Sequence, residues 1–145
     1  MKSTLGIVTL VLFALIAAAL IYQGKPRGQN EPPPPPAEKP GLIRVTQPQP
    51  NDLIASPLTV TGEARGNWFF EASFPMRLYD GNGREIGLAI AQAQGEWMTT
   101  QFVPFRAELT FEAPATERGT LVLEKDNPSG LPEHADELRI SVRFR

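Results

Sequence analysis

The sequence predicts an all-β fold, an antiparallel β-sandwich over residues 42–145, preceded by one transmembrane helix and a disordered proline-rich tether. Three observations predict it. From Leu42 onward, short runs alternate apolar and polar residues with period two. Turn-forming residues fall between those runs, and nowhere in that stretch does an apolar period of 3.6 persist long enough for an amphipathic helix.

Residues 1–4 are a short polar tail. Residues 5–22, LGIVTLVLFALIAAALIY, carry no charge and would reach about 27 Å as a helix, close to the thickness of a bilayer core. Tyr22 falls where an interfacial aromatic sits, and Lys25 and Arg27 reach headgroups beyond it. Ala17, Ala18 and Ala19 offer the small residues of a signal-peptide cleavage site, which leaves secretion after cleavage as the alternative. The apolar run continues past them through Leu20 and Ile21, so a retained anchor is the reading adopted, with the C-terminal domain on the extracytoplasmic side. Residues 23–41 hold seven prolines and three glycines and no large apolar side chain. Such a stretch cannot bury enough surface to offset the entropy of ordering it, and Pro32–Pro36 form a stiff polyproline spacer.

The strands follow in order. Ile43 and Val45 open the domain, and Leu58–Glu63 places Leu58, Val60 and Gly62 on one face. Trp68–Ser73 and Met76–Tyr79 are the next expected strands, with Pro75 marking an edge, bulge or bend between them. Asp80-Gly81-Asn82-Gly83 is a hairpin turn, since Gly and Asn tolerate positive φ. Ile86–Ala91, Trp97–Phe102, Arg106–Phe111 and Thr120–Glu124 continue the series. Leu138, Ile140, Val142 and Phe144 alternate with Arg139, Ser141, Arg143 and Arg145 in the clearest strand of all. Seven to nine strands in this length give a sandwich immunoglobulin-like in outline, without the Cys…Trp…Cys framework of antibody domains; a small barrel shares the same pattern.

Composition narrows the function. Residues 41–145 carry ten of the fourteen basic and fourteen of the sixteen acidic side chains, interspersed and without a Lys/Arg run. No nucleic-acid partner is expected from that distribution. With no cysteine in the chain, disulfides, thiolate metal sites and a lipidated anchor are excluded. His134 is the only histidine, which excludes multi-histidine metal and two-histidine mechanisms. Neither a nucleophile elbow nor a metal-binding helix motif is present, and Asp80–Glu85 fails the calcium-loop pattern at Arg84 and Glu85. No catalytic, cofactor or metal site is expected.

Two segments remain as binding candidates. In Lys125–Asp136, Pro128, Gly130 and Pro132 restrict the backbone while polar groups line it. Asp126, Asn127, Ser129, Glu133 and His134 are therefore the expected recognition surface, preordered by local side-chain bonds. The alternative is an aromatic patch of Trp68, Phe69, Phe70 and Trp97, because consecutive residues on a strand cannot all face one core.

The domain resembles the immunoglobulin-like domain of bacterial spore germination proteins. The resemblance rests on Ser56-Pro57-Leu58-Thr59-Val60-Thr61-Gly62-Glu63-Ala64, Asn67-Trp68-Phe69-Phe70-Glu71-Ala72, Gly95-Glu96-Trp97, Phe102, Pro104-Phe105 and Lys125-Asp126-Asn127-Pro128-Ser129-Gly130, in order across about residues 42–145. It implies a β-sandwich in an envelope-associated bacterial protein, with no catalytic residues. Such domains stand beside a germination-associated domain or behind a membrane anchor or lipoprotein signal, and they also occur in bacteria that make no spores. The partner domain and the lipobox cysteine are both missing from this sequence. Together these readings describe a non-catalytic, membrane-tethered envelope module that contacts another envelope protein or a wall polymer. A carbohydrate- or peptidoglycan-binding module using exposed aromatics and a purely structural spacer are the alternatives.

Overall fold

The computed structural model describes residues 37–145; the expected anchor at 5–22 and most of the tether lie outside them. Nine strands form: β1 (Glu38–Lys39), β2 (Ile43–Gln47), β3 (Leu53–Ile54), β4 (Leu58–Arg65), β5 (Ser73–Asp80), β6 (Glu85–Ala93), β7 (Phe102–Leu109), β8 (Arg118–Glu124) and β9 (Glu137–Phe144). Two single 3-10 turns, Gly66–Trp68 and Pro132–His134, are the only helical segments described. None is long and apolar enough to cross a membrane.

The strands hydrogen-bond into one sheet in the order β1-β2-β4-β7-β6-β5-β8-β9-β3. Residues from strands near its opposite ends, Ile43 and Val45 of β2 and Ile140 and Val142 of β9, share a single core with Phe74, Phe105 and Leu121. The sheet must therefore curl so that its two halves face each other. The seam lies between β6 and β7, which are joined by only two ladder pairs, Gln92↔Arg106 and Ala93↔Phe105, whereas β4 and β7 pair along eight residues. All neighbours run antiparallel except β3 and β9, which pair parallel through Leu53↔Arg143 and Ile54↔Phe144. The expected sandwich is thus a curled sheet with one parallel rung. After β2 the chain leaves the β2/β4 half and joins the other half beside β9.

Alternation read from the sequence places the core correctly in β4, β7 and β9, where every second residue is buried. Two expected strands are corrected. The expected strand Trp68–Ser73 is instead the 3-10 turn followed by a tight reversal. Glu71 and Ala72 there take φ of 49° and 62°, and Phe70 bridges to Ser73. The expected strand Trp97–Phe102 begins only at Phe102, because the preceding segment turns across Gly66. Pro75 lies inside β5 and opposite Ile90 of β6, but pairing with β8 begins at Met76. At Pro75 one strand edge is open, the setting in which a missing N–H is tolerated. The domain also starts before residue 42. Ala37 is buried, its carbonyl accepts the Val45 N–H at 2.7 Å, and β1 pairs with β2.

The β5–β6 hairpin turns on Asp80. Its side chain is buried, and its Oδ1 accepts the backbone N–H of Asn82 at 3.0 Å and of Arg84 at 3.1 Å, while Gly83 takes φ 79°. Burial alone would raise the Asp80 pKa; the N–H groups of Arg84, Asn82 and Ala115 and the Arg84 side chain outweigh it and hold the carboxyl below its usual range. A depressed native pKa contributes stability above the unfolded carboxylate value of about 3.9, and that stability is lost as pH falls through the native value. Asp80→Asn keeps the acceptor but not the charge. Its denaturant midpoint should be lower than wild type at pH 7 and should fall less steeply below about pH 4. Parallel acid limbs for the two proteins would remove Asp80 from the acid response.

Candidate functional site

The segment Lys125–Asp136 leaves β8 and returns to β9 as a fixed loop. Its ends are closed by the Lys125 N–H donating to the Asp136 carbonyl at 2.8 Å. Inside, Asn127 and Ser129 act as one unit. The Ser129 hydroxyl donates to Asn127 Oδ1 at 2.6 Å, Asn127 Nδ2 donates to the Leu131 carbonyl at 2.9 Å, and the Leu131 N–H donates to Ser129 Oγ at 3.2 Å. Gly130 takes φ 67° to close the turn. Asp126 holds the loop to the body by its backbone, its N–H donating to the Trp68 carbonyl at 3.0 Å. The expected local side-chain bonding is present, but Asn127 and Ser129 carry it rather than the Asp126 carboxylate.

Glu133 and His134 are exposed on the 3-10 turn that follows Pro132. His134 Nδ1 lies 3.3 Å from Ser129 Oγ, and Lys125 Nζ donates to the His134 carbonyl at 3.0 Å. Asp136 is turned away from this pair and bonds to Lys39 of β1. Ser129, His134 and Asp136 therefore form no relay: the serine proton is already given to Asn127. Burial would raise the Asp136 pKa, but the Lys39 hydrogen bond, the Glu137 N–H and the charges of Lys39 and Lys125 lower it below the usual range.

Beside the loop lies a groove of about 650 Å3. Its walls carry Lys39, Glu124, Lys125, Asp126, Asp136 and Glu137, with Pro75 and Asn127 among its other contacts. Sequence reasoning placed the loop but missed Lys39, which it assigned to the tether. Only the pairing of β1 with β2 carries Lys39 to a carboxylate 97 residues away. Glu124 is held by Arg77, which also pairs with Glu85 at 2.9 Å, and Glu137 by Arg139 at 2.6 Å. Those partners raise both arginine pKa values, Arg77 chiefly through its hydrogen bond to Glu85 and Arg139 through its bond to Glu137.

The aromatic alternative does not assemble as one surface. Trp68 is fully buried and Phe69 is buried against Phe74, with ring centroids 5.3 Å apart. Phe70 is 42% exposed and Trp97 is half-buried against the core. Among the described residues no three histidine or acidic side chains converge as a metal site.

The described residues thus form a curled β domain with a hydrogen-bonded polar loop beside a charged groove. The family comparison gives it a lineage: the chain belongs to the family described as the immunoglobulin-like domain of bacterial spore germination, whose family model matches residues 42–130. As a member of that family it is a non-catalytic, envelope-associated immunoglobulin-like module. The match takes in the first half of the loop and stops before β9. No curated protein and no solved structure matches the chain.

Proposed function

We propose that this chain is a membrane-tethered envelope module, anchored through residues 5–22 with its domain outside the cytoplasmic membrane, and that it contacts another envelope protein at the groove beside Lys125–Asp136. One observation carries the reading. The groove is walled by charged side chains from the ends of β1, β8 and β9 and from a loop already locked by its own hydrogen bonds. A preordered polar surface loses little conformational freedom on association, so its contacts convert to affinity with a smaller ordering cost. A spacer needs no such loop, and an aromatic sugar platform is disfavoured by the burial of Trp68 and Phe69.

Glu133→Gln combined with His134→Ala tests the exposed tip of the loop, which adjoins the groove without lining it. Both residues are exposed; Glu133 makes no bond to the Asn127–Ser129 unit, and His134 touches it only where its Nδ1 lies 3.3 Å from Ser129 Oγ, so the bonds among Asn127, Ser129 and Leu131 stay in place when the ring is removed. A photo-crosslinking residue at Glu133 of the full chain in its native membrane should capture a defined envelope protein, whereas the same residue at exposed Glu108 should not. Titration of that purified protein should then show the double variant binding about 5- to 20-fold more weakly, equivalent to roughly 1–2 kcal/mol, with an unchanged unfolding midpoint. Equal loss of affinity and stability would make the loop a structural connection only.

A further inference from the structure

The β8/β9 ladder carries like charges at both of its ends. Glu124 stands opposite Glu137 at one end and Arg118 opposite Arg143 at the other, about 20 Å away along the strands. Directly opposed like charges destabilise a sheet unless something neutralises them. At the acidic end the protein supplies the counterions itself, Arg77 for Glu124 and Arg139 for Glu137. At the basic end it does not: among the described residues neither Arg118 nor Arg143 forms an ion pair. Both are exposed, and Arg145, on the same face of the strand end, is exposed too.

This arginine pair is nonetheless held in place. Asn51, at φ 67°, offers its carbonyl to Arg143 Nε at 2.8 Å and its Oδ1 to Arg118 Nη1 at 3.5 Å. Those bonds engage one nitrogen of each guanidinium and leave the others for a ligand. The adjacent rung is a row of hydroxyls, since Tyr79 pairs with Thr120 and Thr120 with Ser141. All three alternate with buried core residues and so face outward with the arginines. None of the three hydroxyls has a hydrogen-bond partner on the described protein. Two positioned guanidinia match the oxygens of a phosphate or carboxylate, and hydroxyls match a polyol.

We propose that the outer face of β5, β8 and β9 around Arg118 and Arg143 binds an anionic wall polymer, a polyol or sugar chain bearing oxyanion groups. Charge complementarity selects this occupant. The domain as a whole is acidic, so an un-neutralised cationic patch on it is a local inversion of sign, and the hydroxyl row distinguishes a polyol from a bare anion. The site shares no residue with the groove at Lys125–Asp136, and the two proposals stand or fall separately.

The probe is poly(glycerol phosphate), titrated against the full chain in an uncharged detergent at moderate salt. Arg118→Gln should weaken binding at least 5-fold, and Arg118→Gln with Arg143→Gln at least 20-fold. Because relief of like-charge repulsion accompanies the loss of affinity, the unfolding midpoint of Arg118→Gln should equal or exceed that of wild type, an outcome no structural role for Arg118 produces. Neutral dextran should not bind, and Glu133→Gln with His134→Ala should leave polymer affinity intact. Unchanged affinity in Arg118→Gln would overturn the proposal. So would equal or tighter binding of wild type to duplex DNA or to soluble glycerophosphoglycerol, which would reveal a non-selective patch or a lipid-headgroup contact.

Discussion

Replacing Trp68 with alanine is expected to cost the domain about 3–5 kcal/mol of folding stability, the range for removing a buried large aromatic. The indole is fully buried, and it stands at the end of the 3-10 turn Gly66–Trp68 where the backbone leaves β4. Two further links run from this position. The next residue, Phe69, packs on Phe74, which in turn meets Phe105 edge-on at 5.0 Å. The Trp68 carbonyl accepts the Asp126 N–H and so holds the root of the Lys125–Asp136 loop. A domain of this size has about 5–15 kcal/mol in total, so Trp68→Ala should leave a measurable unfolded fraction at 37 °C and a urea midpoint far below wild type. Trp68→Phe should cost much less, since it keeps most of the packing and removes an indole N–H that has no partner. Were Trp68 a ligand platform, alanine would instead leave the midpoint within about 0.5 kcal/mol of wild type and reduce only affinity.

The same residue shows why the sequence was legible in some places and opaque in others. β9 could be read directly, because Leu138, Ile140, Val142 and Phe144 bury one face and charged or hydroxyl residues cover the other. Trp68-Phe69-Phe70 looked like a strand for its aromatic content, yet the reversal after it is made by Glu71 and Ala72 at positive φ. Neither residue type signals a left-handed backbone, so nothing local announced the turn. Asp80 was recognised as part of a hairpin, but its burial depends on Arg84 and the segment around Ala115 closing over it. The loop's own prolines and glycine likewise mark Lys125–Asp136, while the groove beside it needs Lys39. The facing arginines were invisible for the most general reason. Arg118 and Arg143 become neighbours only once the register of β8 against β9 is set, and register is a property of the pairing rather than of either strand. Scattered basic residues thus argued against a basic patch that folding then gathers.

Gly66→Ala should be strongly destabilising, although it adds only one methyl group. A Cβ at Gly66 would lie 2.0 Å from the Thr99 carbonyl oxygen and 2.2 Å from that of Trp97, far inside contact distance. Both obstacles are backbone, so no side-chain rotation relieves them, and the segment Trp97–Thr100 must lift as a whole. That segment is tied down around the same point. Arg65 donates to the Thr100 carbonyl at 2.8 Å, and the guanidinia of Arg65 and Arg44 lie 4.2 and 4.4 Å from the Phe102 ring centroid. Lifting it also draws half-buried Trp97 off the core. Overpacking of this kind typically costs about 1–3 kcal/mol, and a backbone obstacle places Gly66→Ala at or above the upper end. Gly95→Ala is the control: it lies in the β6–β7 connection that carries Trp97–Thr100, but has nothing within 4 Å of the added Cβ. Its midpoint should stay within about 0.5 kcal/mol of wild type. Trp97 fluorescence, recorded in a Trp68→Phe background so that one indole reports, should shift to the red in Gly66→Ala and stay unchanged in Gly95→Ala. Equal stability of the two alanine variants would mean that the Trp97–Thr100 segment yields freely, and that its contact with Gly66 does not hold this end of the domain together.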